Sequence, residues 1–125
     1  MLELDDETIQ RLEATANQVR ESIITMLLAA GSGHTAGPLG MADIFTYLYM
    51  HGLKHDPKNP SWPDRDRLVL SNGHICPVLY AAMAHAGYDG YLAIEGIPLG
   101  DQLYNDTRSL TYCQQILHDL DEAQQ

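Results

Sequence analysis

The sequence predicts a mostly helical α/β protein that forms one domain. The chain has 125 residues, which is the usual length of a single domain. Hydrophobic residues make up 45% and charged residues 19%, so the chain can fold around a modest core. Most apolar residues follow helical spacing, and only residues 67–71 favour a β-strand.

The first predicted helix covers residues 5–30. Asp5 or Asp6 can cap its start, because a carboxylate accepts hydrogen bonds from the free N–H groups of the first turn. Gly31 ends it. Its apolar residues recur at spacings of three and four and form one stripe: Ile9, Leu12, Ala16, Val19, Ile23, Met26, Leu27 and Ala30.

A glycine-rich segment and a second helix follow. Residues 31–40, GSGHTAGPLG, contain four glycines and a proline, so we expect a shaped loop without a regular element. Residues 41–52 predict a helix that ends at Gly52. The residues expected to face inward are Met41, Ile44, Phe45 and Leu48.

The next segment crosses the surface and leads into the one predicted strand. Residues 53–66 hold three prolines among charged residues, which is typical of a surface crossing. Residues 67–71, RLVLS, favour a buried strand. Asn72 and Gly73 then predict a turn.

Two further helices are predicted in the rest of the chain. Pro77 suits the first position of a helix that runs to about Ala86, with Gly87 as its end. Residues 89–104 read as irregular, and a last helix begins near Asn105. This last helix carries an apolar seam suited to association with another helix: Leu110, Cys113, Leu117 and Leu120.

The charge of the chain excludes several classes of partner. Seven Lys and Arg stand against 17 Asp and Glu, a net charge of −10. A nucleic-acid-binding protein or a protein docked on an anionic membrane needs a basic surface, so neither is expected. No apolar run is long enough to span a bilayer. Two cysteines without a CxxC spacing favour the reducing cytoplasm.

The acidic residues are concentrated at the two ends of the sequence. Residues 1–30 have a net charge of −4 and residues 89–125 a net charge of −6, whereas residues 31–88 are neutral. Five of the six histidines lie in this neutral stretch. A site for an anionic ligand would be least opposed there, although acidic helices also serve solubility alone.

Two glycine–histidine turns are the candidate functional segments. His34 follows Ser32 and Gly33 in the first turn, and His74 follows Gly73 in the second. Glycine lets the backbone approach a ligand closely, and an imidazole can donate or accept a proton near neutral pH. The alternative for each histidine is a turn or capping residue without a further function.

The other histidines have simpler interpretations. His51 and His55 have the spacing of a metal-binding pair, but Gly52 interrupts the helix between them, so solvated side chains are favoured. His85 is expected on a helix surface, and His118 is expected to pair with a carboxylate. A small acidic helical protein that binds a metal through histidines stays as an alternative.

The two histidine turns stand within longer motifs, SGHTAGPLGMADI and NPSWPDRDRLVLSNGHICPVLYAAMAHAGY. Over residues 12–88 these motifs closely resemble the N-terminal part of transketolase. The resemblance implies a fragment of the three-layer thiamine-diphosphate-binding fold. It also implies thiamine diphosphate and Mg²⁺ as cofactors, and transfer of a two-carbon ketol unit between sugar phosphates.

The same resemblance implies roles for individual residues. His34 and His74 correspond to active-site histidines, and His74 also reaches the cofactor diphosphate. Ser32, Gly33 and Gly73 would shape the cofactor site. Four residues would support the fold and lead into the strand: Trp62, Arg65, Asp66 and Arg67. Asp43 would be structural rather than catalytic.

Departures from the family pattern limit what the chain is expected to do alone. Thr35 and Ala36 replace the usual Pro-Gly. Gly100-Asp101-Gln102 does not match the Gly-Asp-Gly motif that holds the metal and diphosphate, so no metal ligand is assigned. We therefore divide the chain into a transketolase-like segment, residues 1–88, and a divergent acidic tail, residues 89–125.

Two hypotheses about function follow from these departures. The chain is an N-terminal piece or subunit of a transketolase-like enzyme, inactive until a complementing chain joins it. Alternatively, it is a non-catalytic truncated paralogue that acts as an interaction or regulatory subunit. Either version is expected to associate, with a complementing transketolase chain or as a homo-oligomer.

Overall fold

A computed structural model describes residues 4–89 of the protein. Four α-helices form this part: α1 (Asp6–Ala30), α2 (Ala36–Gly40), α3 (Ala42–Tyr47) and α4 (Cys76–His85). A π-helical turn, Leu48–Gly52, continues α3, and a 3₁₀ turn, Gly73–Ile75, precedes α4. The predicted α1, α3 and α4 are confirmed, each within a few residues of its expected bounds.

Local capping fixes both ends of α1. The Asp5 carboxylate accepts a hydrogen bond of 2.8 Å from the Thr8 N–H, so Asp5 and not Asp6 is the cap. Gly31 follows the helix in the left-handed conformation, with φ 61°, and its N–H donates to the carbonyl groups of Leu27 and Leu28. Glycine adopts this conformation without the steric cost that a side chain brings.

The buried side of α1 forms one side of the hydrophobic core. Four residues of its predicted stripe are buried: Ala16, Val19, Ile23 and Met26. Ile9, which the same stripe includes, is 39% exposed. The buried face packs against α3 and α4, which contribute one aromatic side chain, Phe45, and four smaller ones: Ala42, Val78, Ala81 and Ala82. The alanines of α4 let the two helices approach closely.

An ion pair between Arg20 and Asp43 links the surfaces of α1 and α3. Asp43 lies in the first turn of α3, where a carboxylate also favours the helix dipole. Because the Arg20 side chain is 29% exposed and the Asp43 side chain 62% exposed, water screens the pair and it contributes little to stability. The structural rather than catalytic role of Asp43 stays a prediction.

Three expectations about residues 31–52 need correction. The glycine-rich segment is not entirely a loop, because α2 forms within it and buries Pro38. Ile44 is 51% exposed and does not face the core, since α3 directs Phe45 and Thr46 inward instead. Met41 and Leu48 are only partly buried.

Residues 67–71 form no strand in the described part of the chain. Residues 68 and 70 are half-buried, and residues 69 and 71 are exposed, with Val69 at 90%. A strand exists only through hydrogen bonds to a neighbour, and residues 68–71 have no backbone partner among the described residues. The mostly helical class is thus confirmed, whereas the three-layer arrangement stays a prediction. The helix predicted near Asn105 lies outside the described residues.

The surface crossing is a closed loop. The Asp66 N–H donates to the Lys54 carbonyl at 2.8 Å, and the Lys54 N–H donates to the Asp66 carboxylate at 2.8 Å. Within the loop, Arg65 Nε donates to the Pro60 carbonyl at 2.7 Å. These bonds give Arg65 and Asp66 the supporting role expected of them. Among the helices described, none combines the length and apolar character needed to cross a membrane.

His85 lies between α4 and α1 and not on an open helix surface. Its Nε2 atom is 3.1 Å from the Ser22 hydroxyl, and the ring is half-buried. Burial lowers the pKa of His85 below its usual 6.5, because the charged imidazolium loses hydration, and a backbone hydrogen bond with Gln18 opposes part of this shift. The expectation of a surface histidine was therefore wrong.

The core position of Ile23 predicts a large effect of truncation. Ile23 is 0% exposed and its neighbour Ile24 is 45% exposed. Ile23→Ala should lower the free energy of unfolding by about 2–5 kcal/mol, because it leaves a cavity. Ile24→Ala should change it by less than about 0.5 kcal/mol. Urea denaturation followed by circular dichroism measures both, and equal losses would contradict the described packing of α1.

The lowered pKa of His85 predicts loss of stability in mild acid. The unfolded chain binds a proton near the usual pKa of 6.5, whereas the folded chain resists protonation to a lower pH. The contribution of neutral His85 to the free energy of unfolding is fully present above pH 6.5 and declines as the pH falls below that value. The urea midpoint should therefore fall between pH 7.5 and 5.5, and His85→Gln should make that decline shallower. The same decline in both proteins would exclude His85 as its source.

Candidate functional site

The two histidine turns meet in space. His34 lies in the loop between α1 and α2, and His74 lies in the 3₁₀ turn before α4. Their ring centroids are 4.6 Å apart, with the ring planes at 63° in an edge-to-face arrangement. Both side chains are exposed. The fold thus joins two turns that are forty residues apart in the sequence into one candidate site.

Two glycines direct the first turn. After Gly31 has ended α1, Gly33 has φ 117°, a conformation that residues with a side chain rarely adopt. A Cβ atom at residue 33 would also lie 2.5 Å from Cδ2 of Leu27. The chain can therefore fold back closely over the end of α1, and His34 follows directly.

Asn72 shapes the second turn. Its side-chain oxygen accepts a hydrogen bond of 3.2 Å from the His74 N–H, and its carbonyl accepts one of 3.2 Å from the Ile75 N–H. The predicted turn at Asn72 and Gly73 is confirmed in this form. Pro77 occupies the second position of α4, one residue later than expected. Ile75 is buried, so the turn is anchored while His74 stays exposed.

A close contact holds the two turns together. A Cβ atom at Gly37 in α2 would lie only 2.9 Å from Cγ2 of Ile75. Glycine is thus the residue that lets α2 rest directly on the turn that carries His74. The sequence analysis missed both Gly37 and Ile75 as positioning residues. No local signal marks them, because their contact joins segments that are distant in the sequence.

A shallow cleft lies next to α2 and the turn at Asn72. It has a volume of about 660 Å³ and lies between α2 and the extended residues 68–72. Gly37, Asn72 and Ile75 line it, and each is close in sequence to one of the two histidines. Neither histidine lines this cleft, but both imidazoles are exposed, and their nitrogens can donate or accept hydrogen bonds to a bound oxygen.

The remaining predicted residues divide into two groups. Ser32, Gly33 and Gly73 are exposed on the same two turns as the histidines. His51 and His55 do not form a metal pair: the His51 ring lies against Tyr47, and His55 Nε2 is 2.6 Å from the Tyr49 carbonyl oxygen. No cluster of three or more metal-ligating side chains occurs in residues 4–89. His118 and Gly100–Gln102 lie outside the described residues.

A comparison with known proteins finds a family whose model matches the segment that contains both turns. Residues 12–108 match the family model described as transketolase, thiamine diphosphate binding domain. The match includes both histidine turns and continues twenty residues beyond the motifs quoted from the sequence, which end at residue 88.

Three relatives illustrate the similarity. Transketolase 1 of Escherichia coli is 45% identical over 92 residues, which are 74% of this chain and 14% of that protein. Transketolase 1 of Pasteurella multocida is 44% identical over the same shares of the two chains. The 6-deoxy-6-sulfo-D-fructose transketolase subunit SqwG of a Clostridium species is 46% identical over 77 residues, 62% of this chain and 28% of that subunit. The chain thus spans only 14% of the length of the two transketolases.

The contact between α2 and Ile75 predicts opposite effects of alanine at two glycines of one helix. A Cβ atom at Gly40 would have no neighbouring atom within 4 Å. Gly40→Ala should therefore raise the free energy of unfolding by about 0.5–1 kcal/mol, because alanine has the higher helix propensity. Gly37→Ala should instead lower the free energy of unfolding by about 1–3 kcal/mol, because the added methyl group would clash with the buried, branched side chain of Ile75. Chemical denaturation compares the two. Stabilisation of both variants would show that the turns are not in close contact.

Proposed function

Because the chain belongs to the transketolase family, we propose that it is the N-terminal part of a transketolase-like enzyme. The reaction would transfer a two-carbon ketol unit between sugar phosphates with thiamine diphosphate. The observation that carries this proposal is the approach of His34 to His74, with 4.6 Å between the ring centroids. Two exposed imidazoles at this distance can act on neighbouring oxygens of one bound sugar.

The proposed role of the two histidines is proton transfer and hydrogen bonding. An imidazole can take a proton from a sugar hydroxyl and return it at neutral pH. His34 would serve the sugar, and His74 would serve both the sugar and the cofactor diphosphate. Ser32, Gly33 and Gly73 would let the backbone of the two turns approach the cofactor.

The described residues fit part of the cofactor. Thiamine diphosphate, when bound, supplies the electron sink for cleavage of the ketose. The exposed glycines and histidines of the two turns suit its diphosphate oxygens, and the neutral charge of residues 31–88 does not repel them. Mg²⁺ prefers carboxylate and carbonyl oxygens, and residues 4–89 hold no cluster of three metal-ligating side chains. The ligands of Mg²⁺ would therefore come from other residues.

We also propose that the rest of the catalytic machinery is supplied by a complementing chain. Support comes from the relative named as a transketolase subunit. The 77 matched residues make up 28% of the length of this subunit, whereas the 92 matched residues make up only 14% of the Escherichia coli transketolase. The subunit is therefore less than half as long as that transketolase. A family member can thus be one subunit among several. The proposed setting is the cytoplasm, which the small number of cysteines supports.

A complementation assay tests the proposal. The chain is mixed with Escherichia coli transketolase 1 that lacks the matched 92 residues, and ketol transfer is measured with and without each component. His34→Ala and His74→Ala should each lower the restored rate by about 100-fold or more, since each removes a proton-transfer group. His51→Ala is the matched control, because His51 is equally exposed but lies against Tyr47 outside the site.

The result also separates the two hypotheses about function. Calorimetric titration of the mixed chains with thiamine diphosphate and Mg²⁺ reports cofactor binding independently of the rate. The first hypothesis, a piece of an enzyme, is supported if the mixed chains bind the cofactor and only His34→Ala and His74→Ala lower the rate. An assembled complex that neither binds the cofactor nor transfers the ketol unit would favour the non-catalytic paralogue.

A further inference from the structure

The rings of His34 and His74 differ from the other described histidines in their hydrogen bonding. His55 Nε2 lies 2.6 Å from the Tyr49 carbonyl oxygen, and His85 Nε2 lies 3.1 Å from the Ser22 hydroxyl. Within residues 4–89, neither the His34 ring nor the His74 ring makes a hydrogen bond to another side chain or to the backbone. Their nitrogens are therefore available to an outside ligand.

The distance between the two rings suits the chelation of one ion. A transition metal bonds to imidazole nitrogen at about 2.0–2.1 Å, so two nitrogens on one ion lie no more than about 4.2 Å apart. With ring centroids 4.6 Å apart, the edges of the rings are already within this range. Both side chains are exposed, so each ring has space to rotate about its side-chain bonds.

The backbone around the rings is held before any ion binds. The contact between Gly37 and Ile75 fixes the two turns relative to each other, and Asn72 caps the turn that carries His74. Ligands that are already positioned lose less conformational entropy on binding.

We propose that His34 and His74 form a two-histidine site for a divalent transition metal ion such as Ni²⁺ or Zn²⁺, with water completing the coordination. Imidazole is a preferred ligand of these ions, whereas Mg²⁺ prefers oxygen ligands. The site is therefore distinct in chemistry from one that would hold Mg²⁺ with a diphosphate. If the proposed function holds, the bound ion occupies the nitrogens that would act on the sugar, and it inhibits the reaction reversibly.

Calorimetric titration of the full chain with NiCl₂ tests the site directly. The wild-type chain should bind Ni²⁺ and release no comparable heat with MgCl₂. His34→Ala and His74→Ala should each weaken Ni²⁺ binding by about tenfold or more, since loss of a ligand costs at least as much as loss of an outer-shell partner. His51→Ala should bind as the wild type does. Far-UV circular dichroism checks that each variant keeps its helices.

Two outcomes would overturn the inference: no Ni²⁺ binding at millimolar concentration, or binding that both alanine variants leave unchanged. His34→Gln and His74→Gln repeat the test with side chains that keep their polarity if an alanine variant loses helix content. The calorimetry requires no catalysis, so its failure differs from a failure of the proposed function. Loss of Ni²⁺ binding in variants that keep the full complemented rate would support the metal site and contradict the catalytic role.

Discussion

The contact between the backbone of Gly37 and the side chain of Ile75 is the constraint on which the candidate site depends. Ile75 is buried, and a Cβ atom at residue 37 would lie 2.9 Å from its Cγ2 atom, so there is no room for even a methyl group between α2 and Ile75. His34 precedes α2 and His74 precedes Ile75. The separation of the two rings is therefore set by packing beneath them and not by a bond between them.

The features predicted correctly from the sequence are those that local chemistry decides. The stripe of α1 follows from the spacing of its apolar residues, and its ends follow from Asp5 and Gly31. The bounds of α4 follow in the same way from Pro77 and Gly87. Each of these signals acts within about one helical turn, so no knowledge of the tertiary fold is needed to interpret it.

Features decided by distant contacts were not predicted. The low helix propensity of glycine argues against α2, yet packing of Pro38 and Gly37 outweighs it. His85 looks like a surface residue until α1 is placed beside it. The site histidines were identified from the two glycine–histidine turns and from the family motifs around them, but their approach to 4.6 Å was not predicted, because it depends on how two separate turns pack. Residues 67–71 have strand composition without a described neighbour to pair with.

The two ends of the surface crossing meet at Lys54 and Asp66, which form its neck, and this closure has a consequence for the length of the loop. Reciprocal hydrogen bonds join Lys54 and Asp66, and the residues at the far end, 58–61, are exposed. Extra residues inserted there would disturb the local hydrogen bonds of Asn59 and Pro60 but not those between Lys54 and Asp66, and the entropy of closing a loop rises slowly with its length. The neck thus isolates the helices from changes at the tip. A peptide epitope or a fluorescent label can be carried at residues 58–61 while the histidine turns keep their geometry.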